Sequence, residues 1–138
     1  MLQFYFLSVA ANFLAGTALS ADWMSEKFPS LAALLGALSA RRARLIIGLA
    51  ALLVGVGTLF VPAAGPLILG DLFPSIVGVA AGVVLLFEVI RQETFFPEEP
   101  GSGGDRTGRA PRAYRIALGG LAYAAAIVHF FLPERLLL

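Results

Sequence analysis

Apolar residues run along this chain in four long blocks separated by charge, glycine or proline. The first, Leu2–Ala21, contains no charged residue. The second, Leu45–Val61, follows Arg41, Arg42 and Arg44. The third, Leu72–Ile90, carries one charge, Glu88. The fourth is Ile116–Leu132. A helix needs about 20 apolar residues to cross roughly 30 Å of hydrocarbon, so the blocks predict four transmembrane helices. Two further apolar stretches are too short to cross. Phe28–Ala40 places Leu31, Leu34, Leu35 and Leu38 at helical spacing, with Pro29 as a first-turn residue, and predicts an interfacial or re-entrant helix. Residues 63–70 read as a turn broken by Gly65-Pro66.

Composition agrees with the pattern. Apolar residues make up 59% of the 138 and charged residues 14%, where soluble domains average roughly 45–50% and 25%. Mean hydropathy is +0.86. These values exclude a soluble globular enzyme and a disordered chain. The first block has no Lys or Arg ahead of its apolar run, so it reads as a retained span and not as a cleaved signal peptide.

Charge adds an orientation. Nine of the ten basic residues fall in two connections, 22–44 and 91–115, and the turn between the second and third spans has none. Basic loops stay on the cytoplasmic side. The expectation is a multi-pass protein of a cytoplasmic (inner) membrane, a single domain with both termini outside. Trp23, Phe28, Phe95, Phe96 and Tyr114 would lie at the inner boundary. Phe4, Tyr5, Phe60, Phe73, Phe130 and Phe131 would lie at the outer one. Within the second cytoplasmic connection, 97–111 is rich in Pro, Gly and Ser and reads as a flexible linker.

The second and fourth spans resemble each other. A shift of 71 positions sets Arg44 on Arg115, Gly48 on Gly119, Ala51 on Ala122, Phe60 on Phe131 and Pro62 on Pro133. Two spans per half would make this a parallel repeat, since each half returns to the side it started from. The expected fold is therefore all-α: a four-helix transmembrane bundle with a parallel 2+2 arrangement.

Helices in lipid associate through close packing of small residues. Ser8, Asn12, Gly16 and Ser20 form one stripe on the first span. The second offers Gly48, Ala51 and Gly55, the third Gly78 and Gly82, and the fourth Gly120 and Ala124. Three polar groups are candidates for chemistry. Asn12 sits mid-span, where an amide bonds across helices or contacts a substrate. Glu88 lies a turn inside the inner boundary, where it snorkels, pairs with Arg91 or serves a function. His129 lies near the outer end of the fourth span, either as a packing residue or as a titrating group. Arg41, Arg42 and Arg44 set topology and lie near anionic headgroups.

The near-balance of charge, ten basic against nine acidic residues, gives no case for nucleic acid. There is no cysteine and one histidine, so neither a thiolate site nor a histidine-rich metal site can be built within one chain. The glycine-rich 101–108 segment lacks the order of a phosphate loop. The length is similar to that of small four-span multidrug transporters, but their first-span glutamate has no counterpart here. The expected function is non-enzymatic and cofactor-free: an accessory or structural subunit of a membrane complex. Its partners would be the lipid bilayer and other subunits or itself. The alternative is a small oligomeric transporter or channel.

Overall fold

A computed structural model describes residues 2–60, 72–95 and 111–131, and all regular structure among them is helical. In chain order the elements are α1 (Leu2–Lys27), a 3-10 turn (Pro29–Leu31), α2 (Ala32–Ser39), α3 (Arg41–Phe60), α4 (Leu72–Phe95) and α5 (Arg112–Phe131). The turn at 63–70 and the linker at 97–110 lie outside the described residues. Among the described residues, three helices are long and apolar enough to cross a membrane: α3, residues 72–91 of α4, and α5. α1 is the longest, at 26 residues, or about 39 Å at 1.5 Å per residue.

α3 and α5 begin before their apolar blocks, and α1 and α4 run on past theirs. α3 starts at Arg41 and α5 at Arg112, so Arg41, Arg42, Arg44 and Arg115 are helical residues and not loop residues as the charge pattern suggested. The connection expected over 22–44 is almost entirely helical. Its one stretch of 3-10 turn starts at Pro29, whose fixed φ suits a first helical turn. Helix propensity is indifferent to the membrane boundary; arginine is a good helix former, and hydropathy marks the apolar core and not the helix end.

α3 packs against α4 and α1 against α5, with α1 and α4 adjacent at the centre of the bundle. On α3 the buried residues are Arg44, Ile47, Gly48, Ala51, Val54, Gly55 and Thr58. On α5 they are Arg115, Leu118, Gly119, Ala122, Ala125, Ala126 and His129. Every one of the second set is 71 positions after its counterpart in the first. Between α1 and α4 the matching offset is 66. Ser8, Ala11, Asn12, Ala15, Gly16 and Leu19 are buried on α1, and Pro74, Val77, Gly78, Ala81, Gly82 and Leu85 on α4.

Glycine brings the paired helices together. A Cβ on Gly82 would stand 2.7 Å from the Gly48 carbonyl oxygen and 2.7 Å from the Leu52 nitrogen. In the other pair, a Cβ on Gly16 would stand 3.0 Å from the Gly119 oxygen, and one on Gly119 3.1 Å from the Gly16 oxygen. Gly82 and Gly16 differ by 66, and Gly48 and Gly119 by 71, so the two helix pairs make the same contact. Two expected packing residues are not in it. Gly120 and Ala124 are exposed, and a Cβ on Gly120 would meet nothing within 4 Å. Gly119 and Ala122 take that role one or two positions earlier. A run of consecutive small residues does not fix helical phase, and Arg115 does.

Candidate functional site

The polar groups of the bundle collect at three levels. At the end where α3 and α5 begin, here the basic end, four charged side chains from four elements converge. Glu88 on α4 is fully buried and lies between two buried arginines. Arg44 Nη1 donates to Glu88 Oε2 at 3.3 Å, and Arg115 Nε stands 3.2 Å from Glu88 Oε1. Arg115 Nη1 also donates to Asp22 Oδ2 on α1 at 2.5 Å. Arg44 Nε donates to the Ser39 carbonyl oxygen at 2.7 Å, which ties the last turn of α2 to α3. The cluster contains two cations and two anions. Asp22 is its one member with a substantially exposed side chain, at 39%. Beside it an exposed pair, Arg112 with Glu26, links the same two helices.

This arrangement revises two expectations. Glu88 does not snorkel toward the boundary; helix phase turns it inward, on the same face as Val77, Ala81 and Leu85, while Arg91 lies over the Phe87 ring, 6.0 Å from its centroid. Arg44 does not reach headgroups; it is 2% exposed, whereas Arg41 and Arg42 are exposed. The 71-residue correspondence pointed to Arg44 and Arg115 as equivalent positions. It did not point to their acidic partners, because Asp22 and Glu88 are related by 66 and sit on helices with little direct sequence likeness.

At the middle level, Asn12 Nδ2 donates to two carbonyl oxygens, Ser8 at 3.0 Å on its own helix and Pro74 at 3.2 Å on α4. Those two acceptors are again 66 positions apart. Across from Asn12 is Gly78, where a Cβ would come within 3.4 Å of Oδ1. Asn12 Oδ1 is buried with no hydrogen-bond partner among the described residues. Beyond it toward the far end, Thr58 on α3 and Ser75 on α4 share a 2.6 Å hydrogen bond. In the α1–α5 pair, Tyr123 Oη donates to Thr17 Oγ1 at 2.9 Å. Inter-helix bonds of this kind in bilayers contribute about 0.6 kcal/mol on average and rarely above about 1.7. Asn12→Ala is accordingly expected to lower the unfolding free energy in detergent by about 1 kcal/mol without changing oligomeric mass. A loss several times larger would show that the amide does more than join α1 to α4.

At the far end His129 is buried. Its ring centroid lies 4.7 Å from that of Tyr5, and Tyr5 Oη donates to the carbonyl oxygens of His129 at 2.6 Å and Phe130 at 2.9 Å. The last four carbonyls of a helix have no partner in their own helix, so Tyr5 caps α5 from α1. His129 and Glu88 occupy opposite ends of the bundle and do not share a site. Among the described residues there is no group of three His, Cys, Asp or Glu side chains that could hold a metal.

Comparison with known proteins places the chain in a family. A protein-family model matches residues 1–129. The chain belongs to that family. The family is an uncharacterised one, so membership adds no activity to the geometry. No curated protein and no solved structure matches the chain. The chain is helical with several apolar helices, as in a membrane protein, and the rest of its functional reading comes from its own residues.

Proposed function

We propose that the chain is a four-span membrane protein built from two parallel copies of a helix pair, and that it serves as a non-enzymatic accessory or structural subunit of a cytoplasmic membrane complex. α1 is the fourth span. Ser8, Asn12, Gly16 and Ser20 all turn into the bundle, and its charged residues begin only at Asp22. The basic end faces the cytoplasm, since Lys27, Arg41, Arg42, Arg91 and Arg112 gather there.

The observation that carries the structural reading is the way the interior closes on itself. Ala15, Ala81, Ala122 and Ala125 are completely buried, and Gly78 backs directly onto the Asn12 amide at mid-depth. The ionisable groups of the basic end are bound to one another. Large apolar side chains, among them Phe13, Ile46, Leu53, Phe87 and Ile127, instead cover the outside. This is a surface for lipid or for other subunits. The repeat is supported by the paired offsets: contacts Gly82–Gly48 and Gly16–Gly119, and ion pairs Glu88–Arg44 and Asp22–Arg115, are each related by 66 and 71.

Transport is the second reading, favoured by the inward-facing Glu88 and by the partnerless Asn12 Oδ1. Extraction from native membranes in a mild detergent, followed by native mass measurement, separates the two. A complex containing larger unrelated subunits in fixed ratio is expected. A homo-oligomer whose vesicles show a flux abolished by Asn12→Leu would overturn the accessory reading.

A further inference from the structure

Asn12 leaves one hydrogen bond unmade in the enclosed middle of the bundle. The residue is 2% exposed. Nδ2 gives both of its hydrogens to carbonyl oxygens, those of Ser8 and Pro74. An amide oxygen cannot take that place opposite two acceptors, so these bonds fix which way the group faces. Oδ1 is left on the side of Gly78, buried and with no partner among the described residues. A buried acceptor without a donor is destabilising, and hydrocarbon around the bundle offers nothing to relieve it. Gly78 supplies room at this point. A Cβ on Gly48, Gly55 or Gly82 would stand 3.0, 2.9 or 2.7 Å from the facing helix, so those glycines are needed for close approach. Gly78 is not. A Cβ there would make only ordinary contacts, and the three nearest atoms are all polar: Asn12 Oδ1 at 3.4 Å, the Ala51 carbonyl oxygen at 3.5 Å and Asn12 Nδ2 at 3.5 Å. Gly78 also stands 66 positions after Asn12, the offset that relates α4 to α1. One of the two matched positions carries the amide and the other leaves a methyl-sized space beside it.

We propose that this space is a binding site for one water molecule, which donates one hydrogen to Asn12 Oδ1 and the other to the Ala51 carbonyl oxygen. A carbonyl within a helix keeps a second lone pair beyond its helical bond, so the site presents two acceptors and calls for a molecule with two hydrogens to give. Water has them, and it approaches an oxygen at about 2.8 Å, closer than a methyl carbon can. A metal cation fits less well. It takes six or more oxygen ligands, carboxylates among them, and Glu88 lies ten positions along α4 from Gly78, about 15 Å away. Buried waters bridge polar groups that would otherwise lack partners in this way. The water ties α3 to the amide that already joins α1 to α4, so three helices meet at one polar point. The inference concerns the bundle alone and holds for an accessory subunit and a transporter equally.

Asn12 is the sole asparagine, so asparagine carrying heavy nitrogen and carbon in its side-chain amide reports on this site alone. The full chain is purified in deuterated detergent. Nuclear Overhauser spectra are expected to show a cross-peak between the Asn12 amide protons and water, with opposite signs in the laboratory-frame and rotating-frame experiments, which separates a bound water from proton exchange. The infrared stretch of the labelled carbonyl should lie at the lowered frequency of a hydrogen-bonded amide. Gly78→Ala fills the space with a methyl at ordinary contact distance. It should keep the fold, lose the cross-peak and raise the carbonyl stretch. Gly78→Ser places a hydroxyl where the water would be, so it should lose the cross-peak and keep the lowered stretch. An unaltered protein without the dipolar cross-peak overturns the proposal, whether or not the variants fold. A cross-peak that persists in Gly78→Ala overturns the location, and a stretch that stays low in Gly78→Ala overturns water as the donor.

Discussion

Glu88→Gln is expected to cost the protein more than any other conservative single substitution. The carboxylate is fully buried and its two oxygens face two arginines that are themselves almost fully buried, Arg44 at 3.3 Å and Arg115 at 3.2 Å. Removing one partner of a buried ion pair leaves an uncompensated charge, a loss of about 3–5 kcal/mol. Here Arg44 and Arg115 both lose the Glu88 carboxylate, while Arg115 keeps Asp22. The measurement is thermal unfolding in detergent with the monodispersity of the purified protein. Glu88→Gln should give a large drop in both. Asp22→Asn should give a smaller one, because Asp22 is part-exposed and water screens what remains. The charge balance makes a further prediction. Replacing an entire buried pair by apolar residues of similar volume is often neutral, so Arg44→Met combined with Glu88→Leu should recover most of the loss, with Arg115 still held by Asp22. A double variant as unstable as Glu88→Gln would show that the network acts as one unit of all four charges.

This cluster was only half legible in the sequence because hydropathy reports a helix and not its phase. The apolar blocks reveal helices because hydrocarbon demands them, and the three long apolar helices are where hydropathy places them. Arg44 and Arg115 were visible as a matched pair because the α3–α5 likeness includes identities at both ends. Their buried state was not visible. An arginine at the edge of an apolar block looks the same in sequence whether it meets headgroups or a carboxylate on another helix, and only helix phase distinguishes the cases. Glu88 illustrates the same limit, since snorkelling and burial between two arginines are both consistent with one acid three residues from Arg91. The α1–α4 correspondence was hidden more thoroughly. Its offset of 66 differs from the 71 between α3 and α5, and what the two helices share is a burial phase, the identities Ala15/Ala81, Gly16/Gly82 and Leu19/Leu85, and Asp22 against Glu88. Gly120 and Ala124, both exposed, show a further limit. In a stretch where small residues are frequent, spacing alone selects no face, and a Cβ added at Gly120 would meet nothing within 4 Å.

Glycine substitutions provide the second large expected effect, and they form a graded series. At Gly82 an added methyl would stand 2.7 Å from a backbone oxygen and 2.7 Å from a backbone nitrogen of α3. No side-chain rotation relieves such a contact, so α3 and α4 must separate. Gly55 is nearly as tight, at 2.9 Å from the Ser75 oxygen. At Gly119 the nearest atom is the Gly16 oxygen at 3.1 Å, and at Gly120 and Gly57 there is open space. Overpacking a closed interior costs about 1–3 kcal/mol per inserted group, and separating two helices also forfeits the small-residue contacts that hold them in lipid. Gly82→Ala is therefore expected near the top of that range, Gly119→Ala below it, and Gly120→Ala and Gly57→Ala near zero or slightly stabilising, because alanine favours the helix over glycine by about 1 kcal/mol. Unfolding in detergent measured across the series checks the order. Because Gly78 and Gly82 face α1 and α3 of the same chain, Gly82→Leu should abolish the folded monomer and not merely dissociate an oligomer. A Gly82→Leu protein that remained folded with a reduced oligomeric mass would move the contact to an interface between copies. The proposed two-copy arrangement adds one more constraint. It sets Gly16 and Gly82 at equivalent positions, so Gly16→Ala should weaken the α1–α5 pair as Gly82→Ala weakens α3–α4, by a smaller amount in keeping with its 3.0 Å approach. A Gly16→Ala protein indistinguishable from the unaltered one would break the equivalence on which the duplication rests.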